Sequence, residues 1–288
     1  MTVRVGVFGI NVGNERLVEA MIPLAVRAEQ VGLESVWSAE HVMIPAHYGS
    51  TYPFDPSGKV PLKPESTLVD PLVAFSHIAA ATKTLRMGTG INLLAQSNPL
   101  LFAKQTASVD YLSGGRLMLG VGVGWLKEEF DALGVPFEHR GSRMDDYMTA
   151  IRKVWSGEVV EHQSGFLNWS GFKSYPLPAQ SSGIPFIIGG HSPPALRRAA
   201  RSGQGWFGFT PDVEALAGLM AQLKTHAQAE GRDPATIEIT TLWDYGMKET
   251  PTPLERYQEL GITRVLVFRA ALGKDPLAGV EKLAASIG

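Results

Sequence analysis

The chain has 288 residues, of which 44% are hydrophobic, and this is enough to bury a full core in a globular α/β protein. It contains no cysteine, which excludes disulfides and thiolate sites and favours a cytoplasmic location, and its net charge of -2 argues against a nucleic-acid partner. No apolar run reaches about 18 residues and the N-terminus enters a strand-like run directly, so we predict neither a membrane span nor a signal peptide.

Short runs rich in β-branched residues alternate with amphipathic helical patterns along the whole chain. The predicted strands cover residues 3–9, 35–39, 85–93, 116–122, 184–190, 205–209, 236–243 and 263–269. Predicted helices cover residues 15–31, 69–82, 99–112, 193–202 and 212–229. A further helix is expected to begin at Ser142, where Asp145 would complete a capping box, and Gly114 is typical of a helix C-cap.

Two segments interrupt this alternation. Residues 44–67 form a long loop after the second strand, rich in Pro, Gly, Ser and Tyr, and residues 158–182 indicate a hairpin or excursion before the fifth strand. Neighbouring parallel strands need a crossover, and the crossover helices then cover a barrel or both faces of an open sheet. Eight such units at this length predict a (β/α)8 TIM barrel, one domain over residues 1–288, with an open doubly wound sheet as the alternative.

The stretch GRLMLGVGVGW places Gly120, Gly122 and Gly124 after an apolar run, which invites a dinucleotide-binding interpretation. The Rossmann fingerprint places its glycines at the first, third and sixth positions, after the first strand of the fold. Here the glycines alternate and follow the fourth strand, so the fingerprint is absent. At the C-terminal end of a barrel strand they would let the backbone lie flat against a ligand, the alternative being a tight turn with close packing.

Four stretches together resemble the luciferase-like monooxygenase superfamily. They are SAEHV after the second strand, the block from LRMGTGINLL to LMLGVGVGW, EEFDALGVPFEHRGSRMDDY, and IPFIIGGHSPPALRRAARSGQGW. The sequence is most similar to the actinobacterial branch of flavin- or F420-dependent oxidoreductases, over nearly the whole chain. The resemblance implies a barrel whose C-terminal mouth holds an isoalloxazine or deazaflavin ring.

The resemblance also assigns cofactor-binding positions near two strand ends. After Thr89 it implies a non-proline cis peptide at Gly90-Ile91, which would support the back of the ring. Gly122 and Gly124 would then lie against the cofactor at the end of the fourth strand.

The motif IIGGHSPP predicts a phosphate site. Ser192 is a predicted N-cap and Pro193 a favoured first helical residue, so backbone N–H groups and the helix dipole would face whatever binds there. We expect the phosphate to contact four consecutive residues, Gly189, Gly190, His191 and Ser192. The nearby arginines 197, 198 and 201 are interpreted as a solvated helix face.

His41 is the predicted catalytic residue and a further cofactor contact. It follows Glu40 at the end of the second strand, where a barrel places its reactive side chains and where the family carries an acidic residue and a histidine. An imidazole there would hydrogen-bond the ring or move a proton as hydride transfers. No histidine and carboxylate residues show metal-ligand spacing.

Three further residues are candidates for the substrate side: Asn11, Trp125 and Glu128. A structural role is the alternative for each, and for Trp125 this role would be packing in the barrel rim. Glu129 is expected to pair with Arg140 or Arg143.

The long loop 44–67 is predicted to act as a lid or substrate wall. Relatives commonly carry Gly-Asp-Gly-Trp where this chain has Gln204 in second place, and we interpret this as the loss of a carboxylate near the cofactor.

The preferred hypothesis is an oxidoreductase that exchanges a hydride between coenzyme F420 and an organic small molecule. The alternatives are an FMN-dependent monooxygenase and a homologue that binds F420 or a flavin without turnover. The resemblance alone suggests a homodimer.

Overall fold

The computed structural model describes residues 2–14 and 16–287, and in them eight parallel strands close into a barrel. The strands are β1 (Arg4–Phe8), β2 (Ser35–Ser38), β3 (Arg86–Thr89), β4 (Leu117–Val121), β5 (Phe186–Gly189), β6 (Gly205–Gly208), β7 (Glu238–Leu242) and β8 (Arg264–Phe268). Each strand pairs with the next in chain order, and β8 closes the barrel against β1. This confirms the predicted TIM barrel and excludes the open sheet.

Helices connect the strands around the outside of the barrel. They are α1 (Leu17–Gln30), α2 (Pro71–Ala81), α3 (Pro99–Ser113), α4 (Lys127–Ala132), α5 (Arg140–Val154), α6 (Pro193–Ser202), α7 (Val213–Ala229), α8 (Leu254–Glu259) and α9 (Pro276–Ala285). The predicted start of the first helix, at residue 15, lies outside the described residues. Among the described residues, every helix is too short or too polar to span a lipid bilayer.

Local sequence explains several helix ends. The side chains of Asp70 and Asn98 accept backbone N–H groups at the starts of α2 and α3, and each helix then begins with proline. Gly114 ends α3 in the left-handed conformation, as predicted.

The capping box predicted at Ser142 is wrong. Helix α5 already begins at Arg140, and the Ser142 hydroxyl donates to the backbone oxygen of His139 instead of capping the helix. Asp145 forms an ion pair with Arg198 of α6 at 2.7 Å.

Large apolar side chains fill the barrel interior: Phe8, Trp37, Met118, Ile187, Phe207, Leu242 and Leu266. A second apolar layer lies between the strands and the helices. The amino ends of the strands are closed by an ion pair in which the buried Arg264 contacts Glu34 at 2.7 Å. The carboxyl ends form the opposite opening, which we call the mouth.

Both predicted interruptions are present. The loop of residues 39–66 follows β2, and the short strand Thr67–Leu68 at its end pairs with Val12–Gly13. Between α5 and β5, Val160–Gln163 and Asn168–Phe172 form an antiparallel hairpin.

Candidate active site

The floor of the mouth is built around Ile91, at the end of β3. The Gly90-Ile91 peptide bond is cis, as the resemblance implies. The preceding residue, Thr89, is fully buried and its hydroxyl donates to the backbone oxygen of Gly120 at 2.7 Å, which ties the ends of β3 and β4 together.

Two of the predicted cofactor glycines make room for the Ile91 side chain. A Cβ atom on Gly122 would lie 1.9 Å from Cδ1 of Ile91, and one on Gly189 would lie 2.7 Å from its Cγ2. The space beside these glycines is thus occupied by the protein itself. For Gly122, the close-packing alternative describes the structure better than an open approach to a ligand.

Gly124 has a different reason to be glycine. Its φ is +80°, which L-residues rarely adopt, and a Cβ there would lie 2.7 Å from the ring of Phe130. The glycine allows the turn that carries Trp125 to the rim of the mouth.

His41 is held by Glu129, a residue of α4 whose side chain is fully buried. Nδ1 of His41 lies 2.9 Å from Oε2 of Glu129, and Oε1 accepts the backbone N–H of Val42 at 2.5 Å. The sequence prediction of a Glu129 ion pair with Arg140 or Arg143 is therefore wrong.

Both arginines are satisfied by backbone oxygens instead. Nε of Arg143 donates to Ala95 at 2.9 Å, and Nε of Arg140 donates to Gly124 at 3.2 Å. Because backbone oxygens accept the N–H groups of both arginines, Glu129 is available to bind His41.

Glu128 binds the loop 39–66, and its place on the substrate side stays a prediction. Its Oε1 accepts the backbone N–H of Gly49 at 2.7 Å, and its Oε2 accepts the hydroxyl of Ser50 at 2.7 Å. These bonds and the loop's amide of Ser50 hold the pKa of Glu128 at about 2. The two adjacent glutamates thus fix the loop at two places.

Aromatic side chains connect His41 to the loop. Trp125 meets His41, Tyr48 and Tyr52 edge-on, with ring centroids 5.8, 5.6 and 5.1 Å apart. Trp125 therefore packs in the rim and also borders the catalytic candidate, so both sequence interpretations describe part of its surroundings.

Phe54, near the middle of the loop, covers the opposite side of the mouth. Its ring centroid lies 5.1 Å from that of His191 and 5.4 Å from that of Phe209, which follows β6. Phe209 in turn contacts Phe8 and Phe268 at the top of the barrel interior. The loop, for which the sequence predicts a lid or substrate wall, thus lies across the mouth, and its aromatic contacts with Trp125, His191 and Phe209 are what the sequence did not show.

The start of α6 offers free hydrogen-bond donors. Among the described residues no group accepts the backbone N–H of His191, Ser192 or Ala195, and the Ser192 hydroxyl caps nothing. Pro193 and Pro194 have no N–H, so these three amides are the donors that the helix start presents.

His191 itself is half-buried beside these donors. Burial lowers its pKa, which keeps the ring neutral at neutral pH, and its Nε2 is buried with no partner in the described part of the chain. Gly190, with φ +113°, turns the chain here, and its backbone oxygen accepts the indole N–H of Trp206 at 2.9 Å. Close to the mouth there is thus one neutral ring with an unused hydrogen-bonding atom.

Two of the nearby arginines are engaged elsewhere. Arg198 and Arg201 contact Asp145 of α5 at 2.7 and 3.1 Å. They brace α6 against α5, and Arg198 is buried, so the solvated-face interpretation is wrong for that residue.

Asn11 is fully buried and does not line the substrate side. Its Nδ2 donates to the backbone oxygens of Ala39 and Val69 at 2.9 and 2.6 Å, and its Oδ1 accepts the N–H of Ala39 at 3.0 Å. Because its polar atoms are used in this way, Asn11 ties the end of β1 to the end of β2.

Gln204 lies at the amino end of β6, opposite the mouth. Its Oε1 accepts the backbone N–H of Phe186, the first residue of β5, at 3.0 Å. The interpretation of Gln204 as a lost carboxylate near the cofactor is wrong, because the position is at the other end of the barrel.

Residues 8–269 of the chain match the family model described as luciferase-like monooxygenase. The chain belongs to that family. An uncharacterised family relative from Mycobacterium tuberculosis is 32% identical, over 88% of this chain and 87% of its own. An F420-dependent hydroxymycolic acid dehydrogenase from the same organism is 25% identical, over 90% of this chain and 73% of its own. Family membership and relatives of this kind make the protein an enzyme.

Solved structures share the fold. An F420-dependent secondary alcohol dehydrogenase superposes with a TM-score of 0.77 over the whole of both chains, at 17% identity. An FMN-bound Baeyer-Villiger monooxygenase component from Pseudomonas putida superposes with a TM-score of 0.66 over 84% of this chain and 68% of its own, also at 17% identity. At these identities the likeness establishes the architecture alone.

Proposed function

We propose that this enzyme transfers a hydride between coenzyme F420 and an organic small molecule bound at the mouth. The observation that carries the proposal is that one opening has free N–H donors on one side, at the start of α6, and His41 on the other. An anionic phosphate group matches donors at a helix start. A tricyclic ring would then extend from there towards Ile91 and His41.

The donor set fits such a cofactor. The amides of His191, Ser192 and Ala195 and the Ser192 hydroxyl would bind its phosphate, with no charge needed from the side chains of α6. The Ile91 side chain, wedged between Gly122 and Gly189, provides a firm apolar support for a flat ring.

Bound F420 would supply the hydride chemistry, while the protein supplies orientation, proton handling and exclusion of water. His41 would hold or move a proton at Nε2. Within the described residues no group bonds that nitrogen, and Glu129 fixes the other one. Phe54 and Tyr52 of the loop would exclude water from the reacting groups, provided that the loop opens to admit ligands.

An FMN-dependent monooxygenase remains the second candidate, because FMN also carries a tricyclic ring and a phosphate. The F420-dependent dehydrogenase relative, which matches 90% of this chain, supports F420 over FMN. The homodimer, the single-domain organisation and the cytoplasmic location stay predictions, and light scattering on the purified protein tests the first of them.

Paired titrations of the cofactor-free protein with F420 and with FMN, followed by fluorescence, test the proposal. We expect tight binding of F420 and weak binding of FMN, and the reverse order would favour the monooxygenase. Ser192→Ala should weaken F420 binding roughly tenfold, the loss of one hydrogen bond to a charged group. Ser142→Ala is the matched control, because its hydroxyl bonds only the backbone of His139. Binding of neither cofactor would reject the proposal.

A further inference from the structure

Glu129 is surrounded by hydrogen-bond donors. Its Oε1 faces the backbone N–H groups of Val42 and Met43 at 2.5 and 3.4 Å, and its Oε2 faces Nδ1 of His41 at 2.9 Å. A backbone N–H group can only donate a hydrogen bond, so Oε1 must be an acceptor. The carboxyl group is completely buried, which lets no water take over either role.

The shared proton between Glu129 and His41 belongs to the imidazole. Two backbone N–H groups point at Oε1, an arrangement that suits a carboxylate, and a carboxylate accepts at both oxygens, so Nδ1 of His41 is the donor to Oε2. Nδ1 of His41 therefore carries hydrogen whether the ring is neutral or charged. In the neutral ring, Nε2 is then left as the acceptor.

We propose that Glu129 is a positioning residue that fixes the hydrogen of His41 on Nδ1 and presents Nε2 to the group bound in the mouth. The tautomer follows from the contacts of Glu129 alone, whereas the use made of Nε2 rests on the proposed function. The same carboxylate fixes the base of the loop through Val42, so histidine tautomer and loop position depend on one side chain.

The backbone N–H groups of Val42 and Met43 allow only one orientation of a glutamine side chain at position 129, so Glu129→Gln tests the tautomer of His41. Glutamine has one acceptor oxygen and one donor NH2 group. If its oxygen faced His41, its NH2 group would face the N–H groups of Val42 and Met43, donor against donor. The oxygen must therefore turn to Val42, and the NH2 group must donate to Nδ1 of His41. Nδ1 can accept only if the ring hydrogen moves to Nε2.

Long-range 1H–15N NMR spectra of cofactor-free protein, labelled with 15N-histidine, test this inference. The chain has seven histidines, and the signals missing from His41→Gln identify those of residue 41. We expect hydrogen on Nδ1 of the wild-type ring and on Nε2 of the neutral ring in Glu129→Gln. Glu128→Gln is the control and should leave the His41 signals unchanged, because its partners lie at Gly49 and Ser50.

Two results would overturn the inference: a wild-type neutral ring with its hydrogen on Nε2, or a folded Glu129→Gln protein that keeps it on Nδ1. If Glu129→Gln does not fold, the wild-type spectrum still decides which nitrogen is protonated. The spectra need no cofactor, so they separate a failure of this inference from a failure of the F420 proposal. A protein that binds no F420 but shows the expected tautomers would refute only the latter.

Discussion

The ring of Phe54 meets the imidazole of His191 edge-on, with the two ring centroids 5.1 Å apart. The loop after β2 thus contacts the side chain of the residue whose backbone N–H is the first free donor before α6. We therefore expect a phosphate group that enters this site to require movement of Phe54.

Replacing Phe54 by alanine should speed F420 association. The substitution removes the two edge-on contacts with His191 and Phe209, and an aromatic pair contributes about 1 kcal/mol. We expect the association rate constant, measured by stopped-flow fluorescence, to rise roughly fivefold or more. Phe166→Ala, an exposed phenylalanine between the hairpin strands, is the control. An unchanged rate would show that the loop does not limit entry.

Gly122→Ala should destabilise the protein. The new methyl group would lie 1.9 Å from Cδ1 of Ile91, and overpacking of this kind costs about 1–3 kcal/mol. Chemical denaturation measures the loss. Ile91→Val removes that Cδ1 atom, so the double variant should recover most of the lost stability.

Gly218→Ala is the matched control for this prediction. Gly218 is an exposed residue within α7 with open space around it, so alanine there should raise stability by about 0.5–1 kcal/mol. Equal effects of the two substitutions would contradict the packing role of Gly122.

The ion pair at the amino ends of the strands should make stability depend on acid pH. Burial would raise the pKa of Glu34, but the hydrogen bond and charge of Arg264 outweigh it and hold the pKa at about 2. Because this value lies below the usual one of 4.5, the carboxylate stabilises the fold above about pH 4.5, and this contribution is lost as the pH falls towards 2.

Glu34→Gln should therefore cost about 3–5 kcal/mol at neutral pH, since it leaves the buried Arg264 without its main partner. Urea unfolding at neutral and acid pH measures the difference. The gap between variant and wild type should narrow in acid, and a gap independent of pH would refute the assignment.

Glu40 has the opposite behaviour. Burial, together with the charges of Asp70 and Glu129, raises its pKa to about 8 in spite of the hydrogen bond that it accepts from the N–H of Leu93 at 2.7 Å. The folded state therefore holds this proton more tightly than the unfolded chain, and stability declines as the pH rises from about 4.5 to about 8.

Glu40→Gln imitates the protonated acid and keeps an acceptor for Leu93. We expect its free energy of unfolding to exceed that of the wild type at alkaline pH and the difference to shrink on acidification. Urea titrations at several values from about pH 5 to about pH 9 follow this. A difference that grows in acid would show that Glu40 is ionised at neutral pH.

The eight strands could be predicted because each is a short apolar run between turn signals, and buried parallel strands require such runs. The motifs also pointed to the right strand ends, since local sequence sets the turns at Gly124 and Gly190. The strands and the turns that follow them could therefore be predicted, because each depends only on residues that are close in sequence.

Contacts between distant segments were not visible. Glu129 lies 88 positions from His41, and nothing in the local pattern shows that this carboxylate faces a histidine when two arginines are closer in sequence. Gln204 was misplaced for a different reason, which the sequence did contain: its motif precedes β6, and residues that precede a strand lie at the amino end of the barrel. Asn11 does follow a strand, but its side chain turns towards the neighbouring backbone.

The Ile91 side chain touches the ends of two other strands, at Gly122 of the fourth and Gly189 of the fifth. One side chain therefore fills a volume that two other segments of the chain must leave free. In related sequences these positions should vary together, with a larger residue at 122 or 189 accompanied by a smaller one at 91. During evolution, the floor of the mouth would then change shape through paired substitutions, and a single substitution at position 91, 122 or 189 would be rare.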